Sequence, residues 1–248
     1  MNKNLSTPRT LGVFAKAPEP GHVKTRLAAS LETPDAAGLV ARLYGAFQQD
    51  LVARLSSFSG RKVLCWTETS SGTPDWRDRL LDDSWVSWQQ PEGHLGIRLD
   101  MFFAEQPDAV YPTVVIGTDS PNLPVSLIES AFETLENHDA VVGPAFDGGY
   151  YLIGFSAYCA GLFHEINWSS RQVLDQTRER LVEAGLSVAA LPPWYDVDGK
   201  DELRFLASHL QLQEQSGAGR AGECPQTFQL LMSEFVSAGL LSGCVSND

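Results

Sequence analysis

Apolar positions along this 248-residue chain keep two rhythms that take turns. Short, nearly uninterrupted apolar runs occupy Leu11–Ala15, Val63–Trp66, Val86–Gln89, Thr113–Gly117, Ala140–Gly143 and Val188–Leu191. Their length and their lack of polar alternation predict strands covered on both faces. Between them, apolar residues recur three or four apart, as on one side of a helix. Val40, Leu43, Phe47, Leu51 and Leu55 make one such stripe; Leu127, Ile128, Ala131, Phe132 and Leu135 make another. A third helix is predicted to open at Ser169, with Gln172 completing a capping box, and to continue through Val173, Thr177 and Leu181. Strand–helix alternation of this kind predicts an α/β fold, a mainly parallel sheet with helices on both faces. Tyr150–Phe155, after a Gly-Gly turn, reads as an extra strand free to run antiparallel.

Residues 1–210 carry this alternation and are expected to form one domain. Gln211–Gly222, rich in Gln, Gly and Ala, reads as a surface loop or linker. Thr227–Leu241 regains a helical pattern, so residues 211–248 are expected to be a linker plus a helical extension that packs on the domain.

Composition narrows the function. Eighteen Lys and Arg stand against 31 Asp and Glu, a net charge of −13. A chain this acidic is not a generic nucleic-acid binder, and any local cluster of cations in it stands out. The cysteines, Cys65, Cys159, Cys224 and Cys244, have no zinc or redox spacing. Four of the six tryptophans lie between Trp66 and Trp88, and core packing is the expected use, ahead of a cleft or an interface. The polar N-terminus and the absence of any run approaching a membrane span predict a cytoplasmic protein.

Four segments at predicted strand ends could carry chemistry, because ligands of open α/β sheets bind there. Lys16 to Leu27 holds Lys16, Lys24 and Arg26 around Gly21, just before a helix: an anion cradle. It has neither the P-loop spacing nor the G-x-G-x-x-G fingerprint. Thr118-Asp119-Ser120 ends a buried strand, where a carboxylate can hold a hard cation bridging phosphates; the plainer use is helix capping. Asp147-Gly148-Gly149 allows close backbone approach to a ligand, or is an ordinary turn. In Tyr195–Leu203, one of Asp196 and Asp198 is expected to face the cleft.

Together these segments resemble the rSAM/selenodomain-associated transferase 1 family, glycosyltransferase-like proteins of the nucleotide-diphospho-sugar transferase superfamily. The matching stretches are FAKAPEPGHVKTRL, QPEGHLGIRL, VVIGTDSPNLP, AFDGGYYLIGF and WYDVDGKDEL, spanning Phe14 to Leu203. The first is also similar to the loop of 2-phospholactate guanylyltransferases. The resemblance implies a GT-A fold with a Rossmann-like sheet, and Mg²⁺ or Mn²⁺ held by Asp119 and Asp198. It implies Lys16, Lys24 and Arg26 on the nucleotide phosphates, and Gly93 and Arg98 on the base or acceptor side. Asp147, Gly148 and Gly149 would face the sugar or acceptor, with Lys24, Asp119 and Asp147 closest to the chemistry. Two positions depart from the family pattern. His94 replaces the Asp of G-D-L-G-x-R, and Gly199-Lys200 replaces the Thr-Pro of D-T-P-E-D-L.

The expected partners are a nucleotide or nucleotide-sugar and a small acceptor, with no nucleic acid and no membrane span. Glycosyl transfer is the first expectation. Nucleotidyl transfer is the alternative, favoured by the number of cations and by the single carboxylate of Thr118-Asp119-Ser120. A non-catalytic nucleotide-binding protein is the third. Two carboxylates held together without a cation repel, so replacing Asp119 by Asn is expected to leave the free protein as stable as before, or more so.

Overall fold

A computed structural model describes residues 9–68, 75–107, 112–216 and 224–241. Seven strands form one sheet: β1 (Thr10–Ala15), β2 (Arg61–Trp66), β3 (Trp85–Gln89), β4 (Thr113–Gly117), β5 (Ala140–Pro144), β6 (Tyr150–Phe155) and β7 (Val188–Ala190). Their order across the sheet is β3-β2-β1-β4-β6-β5-β7. All pairings are parallel except those of β6, which runs antiparallel to both β4 and β5. The chain builds outward from β1 to β2 and β3, then returns to place β4 on the other side of β1. That reversal is a topological switch point, and it opens a crevice at the strand ends.

The helices are α1 (Thr25–Ala29), α2 (Ala36–Arg54), α3 (Asp75–Asp78), α4 (Leu95–Ala104), α5 (Val125–Thr134), α6 (Val173–Glu183), α7 (Lys200–Ser216) and α8 (Pro225–Leu230). A π-helical turn, Leu231–Val236, continues α8. Alternate residues of a strand serve opposite faces, and β1 shows it. Leu11, Val13 and Ala15 enter one core with α2 and α5, while Phe14 enters the other with α4 and α6. Gly12 has no side chain because the Phe102 ring lies over it; a Cβ there would sit 2.7 Å from the ring. A third cluster joins α1, α2 and α7 to Leu231 and Phe235. The sequence-predicted strands and stripes are all present, including the antiparallel β6. Trp66, Trp76, Trp85, Trp88, Trp168 and Trp194 pack in or against these cores.

Two local expectations are corrected. Helix α6 starts at Val173, not near Ser169, and its N-terminal residue Gln172 makes no side-chain cap. Ser169 is left-handed (φ 65°), which takes it out of any cap geometry; Ser170 Oγ accepts from Gln172 N instead, at 3.2 Å. The stretch read as a linker from Gln211 is helix through Ser216, because Leu203, Leu206, Ala207 and Leu210 bury one face and Gln and Glu tolerate the rest. Residues 217–222 lie outside the described residues, as does Cys244.

The C-terminal segment is tied to α2 and to the loop after β4 by polar contacts. Asp50, buried on α2, accepts from the backbone N–H groups of Gln226 (3.0 Å) and Thr227 (2.7 Å) at the start of α8. Arg54 donates to the carbonyls of Leu123 (2.8 Å) and Pro121, and Cys224 Sγ also lies 3.1 Å from the Pro121 oxygen. Cys65 and Cys159 are free thiols. Among the described residues no helix is long and apolar enough to cross a membrane.

Candidate active site

A cleft of about 540 Å³ opens where β1 and β4 diverge. The backbone of its floor is fixed by a buried polar relay. Tyr44 Oη and Thr118 Oγ1 lie 2.6 Å apart, Gln48 Nε2 donates to the Lys16 carbonyl at 2.7 Å, and Gln90 Nε2 donates to the Cys65 carbonyl at 2.6 Å. These bonds satisfy groups that burial would otherwise leave unpaired, and they hold the ends of β1, β2 and β4 in register.

Lys24 is the centre of the site. Its side chain is only 5% exposed, and its Nζ lies 2.5 Å from Asp119 Oδ1 and 2.8 Å from Asp198 Oδ1. Burial alone would depress the ammonium's pKa; the two carboxylates outweigh it and hold the value above the ordinary one. Asp198 shows the reciprocal effect. Burial would raise its pKa, but Lys24, Arg26 and Lys16 bring it below the usual carboxylate range. The backbone at Lys24 is left-handed (φ 47°), a conformation that costs about 1–3 kcal/mol in a non-glycine residue and persists only where its surroundings impose it. Of the three non-glycine residues with positive φ among those described, Lys24 and Ser169 line this cleft.

This arrangement corrects one expectation. The paired carboxylates are not left to repel each other, because Lys24 supplies the cation between them. Replacing Asp119 by Asn therefore removes a partner from a buried ammonium, and costs stability rather than adding it.

The other predicted residues divide into two groups. Lys16, Arg26, Gly93 and Arg98 all line the cleft. Arg26 is 76% exposed and reaches Asp198 only at 3.9 Å. Arg98 donates to the Gly93 carbonyl at 3.0 Å and to Gln90 Oε1 at 3.3 Å; burial lowers its pKa. By contrast, Asp147, Gly148 and Gly149 are not among the lining residues. Asp147 Oδ1 accepts from Gly149 N at 2.8 Å, and Gly148 (φ 93°) is pressed against the Arg171 carbonyl, where a Cβ would come within 2.3 Å. His94 precedes α4 without capping it, and its ring stacks on Trp168 at 6.2 Å.

Sequence reasoning missed several members. Tyr44, Gln90 and Ser169 line the cleft, and Tyr44 and Gln90 sit inside helical or strand-end patterns that look purely structural. Of the two candidates Asp196 and Asp198, only Asp198 is among the lining residues. A regular strand would place Asp196 and Asp198 on the same side of Val197, but this segment is irregular beyond its single bridge from Trp194 to Ala145. Asp198 turns to Lys24, and Asp196 turns to Ser120, whose Oγ is 2.6 Å away. Burial, with help from Asp119 and Asp147, pushes the Asp196 carboxyl up to about 7 against the opposing Ser120 bond and Lys24 charge.

Asp119 and Asp198 fit a divalent cation. They come from two chain segments, face one point, and already hold a cationic stand-in there, the Lys24 ammonium. Among the described residues no group of three or more His, Cys, Asp or Glu converges, so such a cation would take its remaining ligands from phosphate and water, as Mg²⁺ commonly does.

Comparison with known proteins follows the same lines. The family described as "Uncharacterized protein conserved in bacteria (DUF2064)" matches residues 51–170. A Desulfovibrio desulfuricans G20 protein assigned to the nucleotide-diphospho-sugar transferases has 31% identity and a TM-score of 0.80, over 94% of this chain and 96% of its own. 4-Diphosphocytidyl-2C-methyl-D-erythritol synthase from Anaerococcus prevotii DSM 20548 shares 9% identity with a TM-score of 0.54, over 85% of this chain and 100% of its own, and is similar in fold alone. Among curated proteins none matches. By its matched core and its near full-length relative, the chain belongs to the DUF2064 family, on the fold of nucleotide-diphospho-sugar transferases.

Proposed function

We propose that the protein is a nucleotide-dependent transferase that moves a glycosyl group from a nucleotide-diphospho-sugar to a small acceptor. The observation that carries this reading is the Lys24 ammonium held between Asp119 and Asp198, with Lys16, Arg26 and Arg98 along the same cleft. Four cations and two carboxylates at a switch point suit a diphosphate or triphosphate with a divalent cation. The Desulfovibrio relative supports the same class of donor.

Mg²⁺ or Mn²⁺ at Asp119 and Asp198 would supply charge neutralisation to the phosphates. The chain's own residues do the rest. Lys24 and Arg26 bind phosphate oxygens, Lys16 and Arg98 orient them from the β1 and α4 sides, and Tyr150, Tyr151 and Ser169 form the wall left to the acceptor. Catalysis of this kind is positioning and preorganised charge, with no covalent intermediate on the protein.

Nucleotidyl transfer is the second reading, favoured by the number of cations, which exceeds what a sugar diphosphate requires. A thermal-shift screen of NTPs and nucleotide-diphospho-sugars, with and without Mg²⁺, separates the two. A shift with nucleotide-sugars supports glycosyl transfer, one with NTPs alone supports nucleotidyl transfer, and no shift with either refutes the nucleotide reading.

A further inference from the structure

A divalent cation and the Lys24 ammonium compete for the same two carboxylates, and two positive charges at one point repel. Lys24 already lies against one oxygen of each, Oδ1 of Asp119 and Oδ1 of Asp198. Arg26 stands 3.9 Å from the other oxygen of Asp198, adding positive charge on that side. A metal arriving alone must therefore expel a buried ammonium and leave it uncompensated, which is unfavourable. An arriving phosphate changes the balance, because it gives the ammonium a new anionic partner within the same cleft. Lys24 holds this position from a left-handed backbone, against local preference.

We infer that Lys24 is the resident cation of this site, and that it yields its place to a divalent metal only when a phosphate anion arrives to receive it. Metal and nucleotide then enter as one complex, and free metal is rejected. The inference rests on the phosphate-binding reading of the cleft for its second half only.

The test uses the full chain and two probes taken separately, Mn²⁺ alone and inorganic pyrophosphate alone with chelator present. Lys24→Met keeps the apolar stem and removes the charge. By calorimetry it should bind Mn²⁺ at least about tenfold more tightly than wild type, and pyrophosphate at least about tenfold more weakly. A loosened structure would weaken both, so the opposite signs mark displacement. Adding Asp119→Asn to Lys24→Met should remove the gain for Mn²⁺. Unchanged or weaker Mn²⁺ binding by Lys24→Met overturns the inference. Should that variant not fold, wild type still decides. Peptide mapping after reductive methylation should find Lys24 protected in the free protein and still protected under excess Mn²⁺, because free metal does not displace it; modification of Lys24 under Mn²⁺ alone overturns the inference. The Mn²⁺ measurements involve no nucleotide, so their failure is separate from a failed nucleotide screen.

Discussion

Two glycine-containing segments reach the same end of the sheet, Lys16–Leu27 after β1 and Phe146–Tyr151 between β5 and β6, and they use their charge in opposite ways. Asp147 bonds to Gly149, two residues away, and closes its own turn. Lys24 bonds to Asp198, 174 residues away, and to Asp119 from a third segment. The first pattern is complete in itself and needs no ligand. The second holds like charges together at a crevice and against the local backbone preference. Distance along the chain between partners thus separates a charge that shapes a turn from a charge that can serve chemistry.

The sharpest way to break this contrast is to remove the distant partners. Asp119→Ala combined with Asp198→Ala leaves the Lys24 ammonium buried and alone, and should cost about 2–4 kcal/mol by chemical denaturation, less than a fully buried pair because both carboxylates are partly exposed. Stability equal to wild type would show that Lys24 has no need of them. Next comes phosphate affinity. Lys24→Ala with Arg26→Ala should weaken pyrophosphate binding by at least about tenfold, since each charge-assisted contact contributes about 1.5–3 kcal/mol. Arg26→Ala alone should hardly move the melting temperature, because its ion pair is long and exposed.

Asp147→Ala tests the other side of the comparison. It should cost about 0.5–1.5 kcal/mol for the lost turn bond and leave pyrophosphate affinity within about twofold of wild type. A loss of affinity as large as that of the Lys24 and Arg26 pair would place the turn in the site and end the contrast. The smallest effect belongs to a purely structural carboxylate, Asp139, which accepts from both the N–H and the hydroxyl of Ser187. Those bonds lower its pKa below the ordinary value. A folded-state pKa below the unfolded one contributes stability that is full above the unfolded pKa and is lost as pH falls through the folded pKa. Wild type should therefore lose a small increment over Ser187→Ala as pH drops below about 4, in denaturation curves at several pH values.

Much of the fold was legible because strand burial is written as uninterrupted apolar runs. Leu11–Ala15 and Val114–Ile116 can only sit between two layers, and the Gly-Gly turn before Tyr150 announced a reversal. The cation cluster and Asp119 were legible for a related reason: charge at a strand end stands out in an acidic chain. What the sequence hid is pairing. Nothing in Lys24 itself announces a left-handed backbone or two acidic partners, and Tyr44 and Gln90 look like any helix or loop residue until the strands bring them to the cleft. Ser169-x-x-Gln172 misled because a capping box is a local rule, and the left-handed backbone at Ser169 overrides it.

Pro121 carries a consequence of another kind. Its carbonyl oxygen receives both the Arg54 guanidinium and the Cys224 thiol, one from the end of α2 and one from the threshold of α8. In mechanical terms the far end of the chain is a brace, fastened two residues from Asp119. A fusion partner, a protease cut or a truncation between α7 and α8 would slacken that brace, and the cleft would register it without any lining residue having been altered.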